Sequence, residues 1–473
     1  MNSRYELNKF INRLVKNQNM TSTPYLQDMY SKRDYYHFLY DVLLIMKQFP
    51  HASLATIRIK LLEQSGLKEL IQSFVHDKAL TPGLLLDFGT EKLRDTIICG
   101  NAQEVPDTKA LSHDTIFDLA STSKLFTCIG ILKLQEMGLI DLFAPVSSYV
   151  PSFPYLDDVT IYDLLKFRVK VQTDKRIDQA KTIEEAHQIL YTSKPSSNQH
   201  FHNAYTDMGA MILRVLIESI TNIPFTEFVK TTILDIAGME DTHLNVPEDK
   251  ISRVANENYS KIVNQYGQVI THFYDTPGTP HDAKTKAIGA SMGIAPGHAG
   301  YFSTSKDMIK LGNALINGTI INKDSVLSIS DNAAGYNDNG SFTTFYGSLV
   351  YLKQPDSNNI YLPLSGKSFI SPGFAGTTLC VDPINKLNIF IGANRLHNRI
   401  YQIHPSFKHR IITKENGRKV FLLPDNSEVT VTDSFTIDRT HLLKKAIQLS
   451  IQYQFLESIY PRKKEMHLVR ELN

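Results

Sequence analysis

The sequence predicts an α+β fold, in which an antiparallel sheet drawn from both ends of a domain encloses a mainly helical middle. Three observations carry this. The apolar run Leu84-Leu85-Leu86 and the run Thr96-Ile97-Ile98-Cys99 flank a polar turn at Thr90-Glu91, which reads as an antiparallel strand pair. Far downstream, Thr377 to Val381 and Leu387 to Ile391 form a second pair around the turn Asp382-Pro383. Between the two pairs, apolar residues recur at helical steps, which completes an α+β layout.

Residues 1–62 read as a helical extension rich in Tyr, Asn and Lys. Leu39, Val42, Leu43 and Met46 fall at i, i+3, i+4 and i+7, so one helical face is apolar. This is either a packing extension or an arm for a protein partner. Residues 63–473 form the main domain. It opens with a helix from Leu67 to His76 and a turn at Pro82-Gly83. Residues 407–435 carry two turn signals, Asn416-Gly417 and Pro424-Asp425-Asn426, around Val420-Phe421-Leu422, the mark of a β insertion. A last helix spans 440–458.

Of 473 residues, 42% are apolar and 21% charged, a globular balance. The 50 basic and 48 acidic residues leave a net charge of +2, without the clustered basic excess that nucleic acid requires. The three cysteines, Cys99, Cys128 and Cys380, have apolar neighbours and include no Cys-x-x-Cys pair, so buried free thiols are expected rather than a disulfide framework or a metal site. The start, Met-Asn-Ser-Arg-Tyr-Glu, lacks the segments of a signal peptide. Phe38 to Met46 contains Asp41 and is too short to cross a bilayer. The expectation is a cytoplasmic protein with no membrane span and no cofactor.

The chemistry-bearing segment is Ile116-Phe117-Asp118-Leu119-Ala120 running into Ser121-Thr122-Ser123-Lys124. A helix follows, with Leu125, Ile129 and Leu132 on one face and Gly138 past its end. Ser121 therefore sits at a helix N-terminus, where free N–H groups stabilise an oxyanion. Lys124 lies one turn on, on the same face, where it can activate a weak serine nucleophile. Ser-x-x-Lys also occurs at Ser65 and Ser303. Ser65 has little chain before it, and Ser303 follows a Gly-rich turn. Gly289-Ala290-Ser291-Met292-Gly293 has the spacing of a nucleophile elbow but no strand before it and no helix after it.

Phe117 to Lys124 resembles the nucleophile segment of the serine β-lactamase/penicillin-binding-protein superfamily, in its class C β-lactamase-like esterase and low-molecular-mass penicillin-binding-protein branch. The resemblance covers about residues 64–400 and the final helix. It implies a β-lactamase/transpeptidase-like fold, with a five-stranded antiparallel sheet flanked by helices and a mainly helical subdomain. Tyr205-Thr206-Asp207 is similar to the family's Tyr-x-Asn motif; Tyr205 would then share the Ser121 proton with Lys124, and Asp207, in place of Asn, would serve as substrate contact, helix cap or both. Ser196-Ser197-Asn198 is a rival match. Gly297 to Thr304 resembles a Gly-His-Ala-Gly segment of this branch, which makes His298 a positioned structural histidine and Ser303 a helix start.

The third motif corresponds to Ser371-Pro372-Gly373. Gly373 would allow close backbone approach to substrate, and the Phe374 N–H would complete an oxyanion hole with that of Ser121. The family's Lys or His is replaced here by Ser371, and Pro372 has no N–H. Leu165-Lys166-Phe167-Arg168 also departs from relatives. Together these imply a serine hydrolase working through an acyl-enzyme, an esterase or amidase on a small neutral acyl substrate. The alternatives are a β-lactamase or D-alanyl-D-alanine carboxypeptidase, and a non-catalytic ligand-binding member. Arg395, at the end of the last strand, could substitute for the missing cation, but in a strand-end loop it is expected at the surface.

Overall fold

A computed structural model describes residues 32–196, 205–273, 276–331, 334–336, 342–352 and 364–460. Its central sheet uses β1 (Gly83–Gly89), β2 (Arg94–Gln103) and β3 (Lys109–Ala110) from one end of the domain. A separate strand pair is made by β4 (Ile116–Asp118) and β5 (Phe302–Thr304). From the other end come β6 (Ala334–Tyr336), β7 (Phe342–Tyr346), β8 (Tyr351–Leu352), β9 (Phe369–Pro372), β10 (Thr378–Asp382) and β11 (Leu387–Ala393). The central sheet has nine strands in the order β6-β7-β8-β9-β10-β11-β1-β2-β3. Strands β9, β10, β11, β1 and β2 are the expected five-stranded sheet; β6–β8 extend one edge and β3 the other. Both sequence-predicted pairs form, with Leu84 opposite Cys99 and Cys380 opposite Ile389. The seam between the two ends of the domain is β1 against β11, with Leu84 opposite Ala393.

All seven residues of β1 are buried because both sheet faces are covered. Alternation divides them between two cores. Leu85 points to the helical subdomain with Leu379, Val381 and Phe390. Leu84, Leu86 and Phe88 point to the other face, which is covered by α7 (Phe435–Ile459). That helix starts before the expected 440. Phe435 is 1% exposed and packs edge-on against Phe74 at 5.3 Å, so the packed aromatic fixes the helix start.

Two N-terminal helices, α1 (Lys32–Gln48) and α2 (Leu54–Gln64), join the same core. Val42, Ile45, Ile57 and Leu61 are each at most 3% exposed, and Ser53 caps α2 by accepting from the Thr56 N–H. A helix α3 (Leu67–Gln72) continues as a wider turn through Ser73–Asp77. Residues 1–31 lie outside the described residues. Between β11 and α7, β12 (Ile411–Thr413), β13 (Lys419–Leu422) and β14 (Glu428–Thr430) form a separate antiparallel sheet, and Phe421 packs in a small core with Val263, Ile400 and Val431.

Ile45→Ala, at a site 1% exposed, should destabilise by about 2–5 kcal/mol in urea unfolding. Leu44→Ala, at a site 44% exposed, should change stability by under about 0.5 kcal/mol. Equal, small effects at both positions would mean that α1 is not docked.

Candidate active site

Antiparallel pairing of β4 with β5 sets Phe117 opposite Ser303 and delivers the chain to a tight turn. Ala120 has φ +46°, a left-handed conformation that costs a non-glycine residue energy. The Asp118 carboxylate restrains it by accepting from the Ala120 N–H at 2.8 Å. Ala120–Ser123 form one tight helical turn that leads into α4 (Lys124–Glu136). The Thr122 hydroxyl donates to the Ser371 carbonyl at 3.0 Å, and that of Thr377 to the Leu119 carbonyl at 2.9 Å. A Cβ on Gly373 would lie 2.4 Å from the Leu119 carbonyl oxygen. Glycine at this position is therefore required by the close approach to the turn that carries Ser121.

Lys124 is fully buried. Its Nζ donates to Ser121 Oγ at 2.8 Å, to Asp207 Oδ1 at 2.8 Å and to the His298 carbonyl at 3.3 Å. Burial alone would lower the lysine pKa. Tyr205 and Asp207 outweigh burial, and the ammonium is held above its ordinary value. Asp207 is held far below the usual carboxylate range: burial opposes its charge, but Lys124, His298 and Lys284 outweigh that. Lys284 reaches Asp207 Oδ2 at 3.0 Å and Asp282 at 3.7 Å. Asp282 in turn meets His298 Nε2 at 2.9 Å and caps the short helix α6 (Ala283–Ile288) through the Thr285 N–H. Asp207, Asp282 and His298 place ligand atoms within 4.8 Å of one another, a spacing that could hold a metal. Two ammonium groups already occupy the carboxylate oxygens, which makes the cluster an ion-pair network.

Asp207 is the first residue of α5 (Asp207–Thr221); Thr206, not Asp207, is its cap, accepting from the Met208 N–H. Tyr205 packs on Phe167 at 5.0 Å and on Tyr351 at 5.6 Å, and its ring centre lies 4.9 Å from Lys124 Nζ. Ser121, Tyr205, Asp207, Gly373 and Phe374 line one cavity of about 900 Å³. Leu352 and Ile370 add apolar wall, and Arg395, Arg439 and His281 add basic groups. Arg395 is not the expected surface residue. Its guanidinium lies 4.9 Å from the Phe374 ring centre, and burial, with Arg439 nearby, pushes its pKa down to about 10.

Other expected positions fall elsewhere. Ser371 is 1% exposed, its carbonyl is bound by Thr122, and it is absent from the cavity wall, because strand alternation turns Ile370 and Pro372 to the cavity instead. Ser303 is fully buried in β5 against Thr242, and Thr304 caps the next helix. Ser65 bonds the Leu62 carbonyl at the end of α2. Ser291 is exposed on a short turn with no strand before it. Ser197 and Asn198 lie outside the described residues. Lys166 is buried, bound to the carbonyls of Ser328 and Asp331, with its pKa lowered to about 8 by burial. The sequence reading missed Lys284, Asp282 and the pair Asp118–His281. A carboxylate inside the apolar run Ile116 to Ala120 was the available signal, since a buried charge needs a partner.

A putative D-alanyl-D-alanine carboxypeptidase of Salmonella typhi is 27% identical over 349 residues, 64% of this chain and 76% of that protein. A class C β-lactamase structure superposes with a TM-score of 0.54 at 18% identity, over 71% of this chain and 93% of that one. A D-amino acid amidase from Ochrobactrum anthropi SV3 gives 0.52 at 21%, over 69% and 91%. Among the described residues no single helix is long and apolar enough to cross a membrane. The family model described as Beta-lactamase matches residues 91–407, a span that takes in Ser121, Lys124 and Asp207, and the chain belongs to that family of serine hydrolases.

Proposed function

We propose that this hydrolase acts on a small ester or amide through an acyl-enzyme on Ser121. The observation that carries the reading is the 2.8 Å bond from buried Lys124 to Ser121 Oγ at the head of α4. Asp207 keeps Lys124 charged, so Lys124 donates to the serine oxygen instead of taking its proton. That task falls to Tyr205, whose ring centre lies 4.9 Å from Lys124 Nζ. The Tyr205 oxygen receives the Ser121 proton as it passes its own to the leaving oxygen or nitrogen. Ser121 Oγ bonds to the acyl carbon, and the carbonyl oxygen turns to the N–H groups of Ser121 and Phe374. Water then repeats the exchange, and the acid departs as Oγ regains a proton.

We treat residues 63–473 as the hydrolase domain and 1–62 as its extension, and we place the activity in the cytoplasm. The three buried free thiols suit a reducing compartment. A neutral acyl substrate is favoured by the apolar wall of Leu352, Ile370 and Pro372, against which a carboxylate would lose water without a partner. Arg395 in the cavity wall supports a second reading, a carboxypeptidase or β-lactamase acting on anionic substrates.

Ser121→Ala should abolish labelling by a fluorophosphonate in intact-mass spectrometry, while Ser291→Ala and Ser303→Ala label normally. Tyr205→Phe should slow labelling by about 10²–10⁴. Labelling that survives Ser121→Ala would sink the assignment.

The charged state of Lys124 has its own test. Asp207→Ala strands a buried ammonium and should cost about 3–5 kcal/mol. In the wild type the raised lysine contributes stability below its unfolded pKa, about 10.4, and the depressed aspartate above about 3.9. The deficit should therefore be widest between those limits and shrink as pH rises past 10 or falls below 4. A deficit independent of pH in urea titrations would show that charge pairing is not its origin.

Substrate charge is decided by comparing kcat/KM for a p-nitrophenyl ester and a chromogenic cephalosporin. The ester should be much the faster. Equal turnover would favour the second reading and make Arg395 the carboxylate contact.

A further inference from the structure

Asp118 and His281 lie beside the nucleophile but have no part in the proton path above. Asp118 is 2% exposed, and both of its carboxylate oxygens are engaged. Oδ1 accepts from the N–H of Ala120, the left-handed residue before Ser121. Oδ2 meets His281 Nδ1 at 2.9 Å and accepts from the His281 N–H at 3.1 Å. The His281 ring stacks on Phe374 with centroids 5.6 Å apart and planes 22° apart. Phe374 itself is 45% exposed; besides His281 its ring meets Tyr401 edge-on at 5.7 Å and the Arg395 guanidinium at 4.9 Å. Arg395 braces the other part of that turn by donating its N–H to the Ala375 carbonyl at 2.9 Å.

One side chain thus joins the two backbone segments that carry the oxyanion donors. We propose that His281 is a positioning residue: through Asp118 it fixes the Ser121 turn, through its ring it fixes Phe374, and so it holds the two N–H donors in register. This rests on the acyl-enzyme reading above. Register matters because the donors stabilise charge only where the transition state develops it, and a displacement of about 1 Å can cost about 10²-fold in rate. The strained φ of Ala120 is the kind of conformation that must be restrained from outside the turn.

The test uses the full chain with His281→Ala, His281→Asn and His281→Phe. Asn keeps a donor for Asp118 without the ring; Phe keeps the ring without the donor. For a p-nitrophenyl ester, His281→Ala should lower kcat by about 10²-fold, with KM within about threefold of wild type. Inhibition by phenylboronic acid, whose tetrahedral adduct places an oxygen in the same hole, should weaken in parallel. Asn and Phe should each recover part of kcat. The proposal is overturned if His281→Ala keeps kcat within about threefold, or if the loss appears in KM with boronate inhibition unchanged. Should His281→Ala melt far below wild type, Asn and Phe decide, and wild-type kcat in both would refute the coupling. Ser121 labelling is followed throughout: failure of the wild type to label would remove the acyl-enzyme reading itself, whereas normal labelling and turnover in His281→Ala would remove only this one.

Discussion

The site is organised around one buried charge. Placing the Lys124 ammonium at full burial carries a desolvation penalty of about several kcal/mol, and only close partners offset it. Asp207, Ser121 and the His298 carbonyl provide them. Each partner then has needs of its own. Asp207 sits in the first turn of α5, where the helix dipole favours an acid. Its second oxygen takes Lys284, which leans on Asp282, which takes His298. The result is a row of alternating charges from Ser121 to the short helix at Ala283–Ile288. The lysine that would remove a proton in a lone Ser-x-x-Lys pair is thereby committed to remaining charged.

The sheet gives this row a fixed frame. The Ser121 turn hangs from β4, while the turn facing it follows β9, and the two come from opposite ends of the domain. Thr122 and Thr377 bond the two segments across their backbones, and Gly373 lets them approach to near contact. Buried hydroxyl–carbonyl bonds of this kind are directional, so they set the distance between segments as well as holding them together.

Much of the frame was legible because it follows from apolar pattern. Leu84 to Leu86 and Thr377 to Val381 read as strands since their neighbours are turn formers, and the turn at Ser121 read as a strand running directly into a helix. The edge strands β6 to β8 were not legible: Ala334–Tyr336 and Tyr351–Leu352 are too short to show a period. Ser371 was assigned to the cavity on its position in a motif, but side-chain parity along β9 turns it away. The departure at Asp207 was visible, yet its effect on Lys124 needed a distance. Lys284 and His281 carried no local signal, since polar residues after a Pro- and Gly-containing loop look like ordinary surface.

The pairing of β1 with β11 has a consequence for how the chain is made. Strand β1 is among the first parts of the domain to be synthesised, and its lasting neighbour β11 is among the last. Roughly 300 residues separate them, which at about 5–20 residues per second is about 15–60 s of translation. For that interval Leu84-Leu85-Leu86 has β2 on one edge and nothing on the other, and α7 has yet to emerge to cover its face. An unpaired apolar strand is a template for association with other chains. On the ribosome that edge therefore stays open to association with other chains until β11 and the last helix have emerged.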